Sequence, residues 1–215
     1  MDDAENTEAP GPAFAPGAFD RIDDTDDAHF YAPPRLVTHI DDAAIAGLRA
    51  FYGEIIAPGS TVLDLMSSWV SHLPPGLALG EVIGHGMNDR ELAANPRLTR
   101  HFVQNLNRET ALPLDAVSFN AALCCVSVQY LQRPVDVFTE VRRVLRPGGH
   151  FIVSYSNRCF PTKAVAVWRT LDLQGHAALI HRYLSLAGFT GIAAHVLANG
   201  MDGDPLIVVT GAKPI

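Results

Sequence analysis

The stretch from Phe119 to Ser154 constrains the fold more than any other part of this chain. It begins with a continuous apolar run, which is typical of a strand buried on both faces of a parallel sheet. Val137, Val141 and Val144 follow at helical spacing. The segment Arg146–Gly149, Arg-Pro-Gly-Gly, supplies a turn before a second apolar run. This order predicts two parallel strands joined by a crossover helix, with a ligand-facing loop after the first strand.

The rest of the chain repeats this alternation of short apolar runs and helical patterns. We therefore predict an α/β fold: a doubly wound, mostly parallel seven-stranded sheet with an antiparallel C-terminal hairpin. The predicted strands are 61–65, 80–84, 101–105, 117–124, 150–155, 192–197 and 205–211. The predicted helices are 43–56, a short one after Ser67, 90–94, 135–145 and a last one over 162–186 that breaks at Gln174-Gly175.

Composition divides the chain into three parts. Residues 1–28 form an acidic tail that we expect to be disordered, although Phe14 and Phe19 can anchor it locally. Residues 29–58 form a lid and a helix, and 59–215 form the core domain. The tail holds nine acids and one base, while the remaining chain holds 14 acids and 15 bases. No basic face suggests nucleic acid, so we expect a small-molecule substrate.

Membrane, secretory and metal-binding roles are disfavoured by the same sequence. No apolar run reaches the ~18 residues of a spanning helix, and the acidic N-terminus is unlike a secretory signal. We therefore expect a cytoplasmic protein with no membrane partner. The three cysteines lack the spacing of a metal site, and we interpret them as reduced thiols. The sequence gives no indication of the oligomeric state.

The strand ends carry motifs that resemble class I methyltransferases dependent on S-adenosylmethionine, specifically the type 11 group. Arg143–Gly149, R-V-L-R-P-G-G, followed by an apolar strand is typical of them, and the resemblance runs from about Ala44 to Pro214. The first strand, V-L-D-L, also matches, but the glycine-rich loop after it is divergent. Its three glycine positions hold Met66, Ser68 and Val70.

The resemblance implies S-adenosylmethionine as cofactor and a Rossmann-like fold. The acid that binds the ribose hydroxyls in the family falls on Gly86, so Asn88, Asp89 or His85 would have to replace it. Asn105 stands where an acid often accepts the adenine amino group. Helix capping and turn formation are equally open interpretations for several of these side chains. The candidate cofactor-binding residues are Asp64, Met66, Ser67, Ser68, Gly86, Met87, Asn88, Asn105, Leu106, Cys125 and Val126.

The acceptor side is less specific. The lid and the loops after the fourth and fifth strands supply the candidate substrate residues Tyr31, Arg35, Tyr130, Tyr155, Asn157 and Arg158. No catalytic residue is assigned; His39 and His72 are the weak candidates for a general base, and surface or packing roles stay open for both.

We predict methyl transfer from S-adenosylmethionine to a small-molecule acceptor, a reaction that needs alignment and water exclusion but no metal. The alternative is a non-catalytic ligand-binding or regulatory module on a degenerate methyltransferase fold. A nicotinamide oxidoreductase is the weakest reading, because the G-x-G-x-x-G signature is absent.

Overall fold

The computed structural model describes residues 14–215, and they form one seven-stranded sheet with helices on both faces. The strand order is β3-β2-β1-β4-β5-β7-β6. The strands are β1 Val62–Leu65, β2 Val82–Gly86, β3 Arg100–Val103, β4 Phe119–Cys125, β5 Leu145–Tyr155, β6 Thr190–Ala198 and β7 Leu206–Ala212. The helices are α1 Asp27–Phe30, α2 Asp42–Ile55, α3 Asp89–Ala94, α4 Pro134–Val144, α5 Ala166–Arg169 and α6 Leu173–Leu186, and a 3₁₀ turn spans Val128–Tyr130.

The pairing of the strands confirms the predicted fold class. The first five strands are parallel, and β7 enters antiparallel between β5 and β6. Because β2 and β4 flank β1 on opposite sides, the strand order reverses at β1. In open α/β sheets the ligand crevice lies beyond the carboxyl ends of the strands at such a point.

Two apolar layers hold the sheet between its helices. Ile45 and Leu48 of α2 pack on one face, against strand residues such as Val62. Phe138 of α4 and Ile180 of α6 pack on the other. None of the helices within residues 14–215 is long and apolar enough to cross a membrane.

Two predicted helices differ from the structure. Residues 67–81 contain no helix, because the Ser67 amide donates to the His85 carbonyl of β2 at 2.6 Å and Pro74-Pro75 follow. The break in the last helix falls at 170–172, not at Gly175. Gly175 lies inside α6, where its amide donates to Asp172 Oδ1, the N-cap, at 2.8 Å.

The acidic N-terminal segment, for which composition predicts disorder over residues 1–28, contacts the core in the part that the structure describes. Residues 1–13 lie outside the described residues, but from Phe14 onward the chain packs on the core. Phe14 and Phe19 contact the Tyr183 ring at centroid distances of 5.6 and 6.2 Å. The fully buried Lys163 places Nζ 3.3 Å from Asp23 and 3.4 Å from Asp27. A hydrophobic anchor and a buried cation therefore offset the ordering entropy of this segment.

Candidate functional site

A cavity of about 320 Å³ lies beyond the carboxyl ends of β1, β2 and β4, where the strand order reverses. Residues of the segment 31–39, which we call the lid, and of the loop after β5 also line it. Its volume lies within the ~300–1,000 Å³ usual for small-molecule sites. All eleven candidate cofactor residues line it, together with Tyr31, Arg35, His39, His72, Tyr130 and Arg158.

The loop after β1 keeps a glycine-like backbone without glycine. Met66, at the first glycine position, has φ +56°, a left-handed conformation that non-glycine residues rarely adopt. Its side chain is half-buried against the core. Although the replacements at 66, 68 and 70 are bulkier than glycine, they line the cavity and leave it open.

His85 of β2 holds this loop in place. Its buried Nδ1 accepts from the Met66 amide at 3.1 Å, so Nε2 carries the hydrogen and donates to the Gln104 carbonyl at 2.9 Å. Burial lowers the pKa of His85 to about 4, which keeps the ring neutral and preserves this tautomer. His85 thus joins the ends of β1 and β3 across β2.

Asp64 ends the apolar core of β1 with a buried carboxyl group. Its side chain accepts from Ser67 Oγ at 2.6 Å, and the residue is 3% exposed. Burial raises the pKa of Asp64 to about 6, against the opposing effect of hydrogen bonds from Ser67 and Ser71. This side chain therefore organises the loop and presents a carboxyl group to the cavity.

No side chain fits at the position of the expected ribose acid. A Cβ built on Gly86 would lie 2.5 Å from the Ser67 carbonyl oxygen, closer than real contacts allow. Asn88, offered by the sequence as a replacement, is committed elsewhere: Oδ1 caps α3, and Nδ2 donates to the lid carbonyls of Tyr31 and Ala32 at 2.8 and 3.0 Å. Asp89 pairs with His101 and is largely exposed.

The loops after β3 and β4 form the opposite wall. Asn105 Oδ1 accepts from the Asn107 amide at 3.0 Å, and Leu106 is buried beside it. Val126 has φ +47°, a genuine strain for a β-branched residue, and the neighbouring Ser127 hydroxyl lies 3.3 Å from the Met66 carbonyl. Burial raises the pKa of the Cys125 thiol to about 12, so it is present as a thiol at neutral pH.

The lid carries an arginine with one uncommitted nitrogen. Arg35 stacks over the Phe30 ring at 4.4 Å, and its Nη2 donates to the Phe30 carbonyl at 2.8 Å. Nη1 is buried and has no hydrogen-bond partner. A buried unpaired guanidinium nitrogen is costly, and Arg35 lines the cavity, so an acceptor that reached this atom would relieve that cost.

His39 and His72 lie together at the cavity, both with positive φ, of 64° and 53°. His72 is 5% exposed and its Nδ1 lacks a partner; burial, then the nearby Arg49 and His39, lower its pKa to about 4. Burial also lowers the pKa of the more exposed His39. Two imidazoles that are neutral at pH 7 therefore line the cavity, and a base role for either stays a prediction.

Two predicted substrate residues do not reach the cavity. Tyr155 is fully buried, and its hydroxyl donates to the Leu173 carbonyl at 2.6 Å; strand alternation turns it into the core. Asn157 is exposed outside the lining. Arg158 does line the cavity, with Nε donating to Asp204 Oδ1 at 2.7 Å.

Several lining residues escaped sequence reasoning, because contacts across many residues of sequence create their roles. Glu91 accepts from the Arg35 amide at 2.6 Å and from Ser68 Oγ at 2.5 Å. The carboxylate of Asp27 binds Arg21 and Asn107. Other lining side chains that were not predicted include Gln104, Cys159 and Phe160. Among residues 14–215, no group of three or more His, Cys, Asp or Glu could hold a metal ion.

These residues fit S-adenosylmethionine in two of three respects. The cavity has apolar walls at Met87, Leu106 and Val126 for a nucleoside, and the lining residue Arg35 brings a cation with a buried, unpaired nitrogen that suits a carboxylate. The ribose acid of the family is missing at Gly86. The available space and the unpaired donor match the ligand, so the residues fit this cofactor.

The strand order and the position of the cavity define the class I, Rossmann-like methyltransferase fold. Residues 76–153 match the family model described as a methyltransferase domain. This match confirms the resemblance seen in the sequence. It begins after the altered β1 loop, so it covers β2 to β5 and leaves out Met66, Ser68 and Val70.

Curated relatives match part of the chain. The biotin biosynthesis bifunctional protein BioHC of Teredinibacter turnerae is 28% identical over 117 residues, 52% of this chain and 19% of that protein. A malonyl-[acyl-carrier protein] O-methyltransferase of Marinomonas sp. is 28% identical over 74 residues, which are 34% of this chain and 26% of that protein. The matched part therefore spans about a quarter or less of these relatives' length.

Solved structures share the fold at low identity. A chain of the complex between the Haloferax volcanii Trm112 methyltransferase activator and a methyltransferase gives a TM-score of 0.62 at 16% identity, covering 81% of this chain and 91% of that one. The [4+2]-cyclase SpnF gives a TM-score of 0.59 at 16% identity, and the match covers 78% of this chain and 81% of that one. Phosphoethanolamine N-methyltransferase 2 of Haemonchus contortus, solved with S-adenosyl-L-methionine, gives a TM-score of 0.55 at 14% identity. This match covers 80% of this chain and 52% of that one.

Proposed function

We propose that this protein transfers a methyl group from S-adenosylmethionine to a small-molecule acceptor. One observation carries the proposal: the cavity at the strand-order reversal stays open, although side chains replace the glycines of the β1 loop. The methyltransferase-domain match over residues 76–153 supports the same reaction class.

The lining residues divide the work of binding. Leu106 and Val126 contact the nucleoside, the Asn105 carboxamide meets the adenine edge, and Arg35 Nη1 holds the carboxylate of the methionine moiety. When bound, S-adenosylmethionine supplies a methyl group activated by a sulfonium. The chain aligns the acceptor and excludes water, which can contribute about 7–11 kcal/mol to lowering the barrier of a well-oriented reaction.

The acceptor end lies between the lid and the loop after β5. Tyr130, Phe160 and Arg158 line it, and the exposed Arg158 can contact an anionic group near the entrance. The name of the Marinomonas relative suggests one such acceptor, a malonyl group on acyl-carrier protein. A carboxylate acceptor needs no base, whereas a hydroxyl or amine acceptor would give its proton to His39 or His72.

Calorimetry and label transfer test the proposal together. We expect saturable binding of S-adenosylmethionine and S-adenosylhomocysteine at one site, and transfer of labelled methyl to at least one member of a panel of carboxylates, phenols, amines and malonyl-acyl-carrier protein. Absence of heat with both ligands at millimolar concentration would refute the proposal.

A second candidate is a ligand-binding module that does not transfer methyl groups. The closed position at Gly86 favours it, because the family's ribose contact is missing there. A cyclase with this fold also shows that the architecture accommodates other chemistry. Tight nucleoside binding without label transfer to any acceptor in the panel would support this second candidate.

A further inference from the structure

The closed position at Gly86 creates a specific problem for nucleoside binding. A Cβ there would lie 2.5 Å from the Ser67 carbonyl oxygen and 3.1 Å from Leu92 Cδ2. The backbone contact cannot yield without displacing the β1 loop, so the end of β2 cannot supply a carboxylate. If the cavity binds a ribose, its hydroxyl groups need an acceptor from another element.

Three carboxyl side chains line the cavity, and one of them lies on the helix that follows β2. Asp27 Oδ1 binds Arg21 at 2.7 Å and also faces Lys163, while Asp27 Oδ2 accepts from Asn107 at 3.0 Å. Asp64 belongs to the end of β1 and organises the loop through Ser67. The third is Glu91, on the helix that follows β2.

Glu91 is held in one orientation and keeps unused acceptor capacity. Its Oε1 accepts from the Arg35 amide of the lid, and its Oε2 accepts from the Ser68 hydroxyl of the β1 loop. Each carboxylate oxygen can accept about two hydrogen bonds, so each retains room for one more donor. Paired acceptors of this kind match the two adjacent hydroxyls of a ribose.

We propose that Glu91 is the carboxylate that binds the ribose hydroxyls of the cofactor, in place of the acid that Gly86 excludes. This assignment rests on the proposed function. It places the ribose contact five residues beyond the family position, between the lid and the β1 loop. Ligand binding and lid closure then share one side chain, because the Arg35 amide already donates to Glu91.

Calorimetry with S-adenosylhomocysteine and its 2′-deoxy analogue tests the assignment. We expect the wild-type protein to bind the deoxy analogue about 10- to 100-fold more weakly, as for hydrogen bonds to a charged group. Glu91→Gln should bind S-adenosylhomocysteine more weakly and lose most of the discrimination between the two ligands. The exposed Glu54→Gln on α2 is the matched control and should keep the wild-type ratio.

The ratio of the two affinities separates ribose contact from a role in lid structure. A Glu91→Gln protein that binds both ligands more weakly, but discriminates between them as the wild type does, would overturn the assignment and leave the proposed function standing. Wild-type protein that binds neither ligand would overturn the proposed function and this assignment together.

Discussion

At the scale of single residues, backbone strain collects at the cavity wall. Met66 and Val126 both have positive φ, and the Ser127 hydroxyl, which donates to the Cys125 carbonyl at 2.8 Å, lies 3.3 Å from the Met66 carbonyl. A left-handed conformation costs a non-glycine residue about 1–2 kcal/mol. Such strain commonly marks binding and catalytic sites.

Met66→Gly should therefore strengthen nucleoside binding without a large loss of stability. Relief of the positive φ offsets the lost packing of a half-buried side chain, and the cavity widens. Calorimetry with S-adenosylhomocysteine and urea unfolding measure the two effects.

The exposed Val117, also with a positive φ (59°) but outside the cavity, provides the control. Val117→Gly should gain stability by about 1 kcal/mol and leave binding unchanged. Weaker binding by Met66→Gly would show that the methionine side chain contributes to the ligand contact.

Three buried groups give stability a distinctive pH dependence. The pKa of His72 and of His85 is lowered to about 4 in the folded protein. As the pH is lowered, these histidines therefore bind protons in the unfolded chain before they do so in the folded protein. The free energy of unfolding consequently falls as the pH drops from about 6.5 to about 4. The pKa of Asp64 is raised to about 6, so it opposes that loss between about pH 6 and pH 3.8.

We expect wild-type stability to decline as the pH is lowered from 6.5 to 4, because burial lowers the pKa of four histidines, His39, His72, His85 and His176, against one aspartate whose pKa is raised. His72→Asn, which suits the positive φ at that position, should make the decline shallower, and Asp64→Asn should make it steeper. Urea unfolding midpoints across this range provide the measurement. Identical slopes for all three proteins would contradict the account.

Side-chain roles were predictable where they depend on neighbours in sequence. Asp64 and Ser67 lie three residues apart and were both assigned to the site. Glu91 was missed because its partner Arg35 lies 56 residues away. Tyr155 was assigned to the substrate side because it ends a strand, but only the packing of α6 shows where its hydroxyl binds.

At the scale of elements, two side chains, Asn88 and Glu91, join the lid to α3. Asn88 caps α3 through Oδ1 and holds the lid through Nδ2. Substitution of Asn88 can separate these two functions, because an aspartate keeps an oxygen that caps α3 but lacks the amide group that donates to the lid.

Asn88→Asp should loosen the lid and leave α3 intact, whereas Asn88→Ala should loosen the lid and also lose about 1 kcal/mol of cap stabilisation. Hydrogen exchange of peptides covering 31–37 and 89–94 distinguishes the two variants. Equal protection of the lid in wild type and Asn88→Asp would show that other contacts hold it.

The N-terminal segment depends on Lys163, which is wholly buried against Asp23, Asp27 and the Thr25 carbonyl. Removing one member of a buried ion pair lowers the free energy of unfolding by about 3–5 kcal/mol. We expect a smaller loss on removal of Lys163, because Arg21 still pairs with Asp27. Lys163→Met should therefore release the segment.

Limited trypsin digestion measures this release through cleavage after Arg21, which we expect to be faster in Lys163→Met. Arg108→Met, which removes an exposed partner of Asp26, should change the rate little, because surface pairs contribute at most about 1 kcal/mol. Equal cleavage of wild type and Lys163→Met would contradict the role assigned to Lys163.

At the scale of the whole molecule, the sheet was predictable because each strand is a local apolar run and each crossover a local helical pattern. The final hairpin was predictable from the short link between 192–197 and 205–211. The ordered packing of residues 14–28 was not, since an acidic composition does not reveal a buried lysine more than 130 residues later. The loop after β1 was also unpredictable, because its path depends on His85 across the sheet.

A crystal structure with S-adenosylhomocysteine tests the central claim most directly. We expect the nucleoside between the β1 loop and the loops after β3 and β4, with its carboxylate at Arg35 and its ribose hydroxyls at Glu91. Density for the ligand elsewhere, or Met66 and Val70 side chains filling the nucleoside position in crystals grown with excess ligand, would contradict the account.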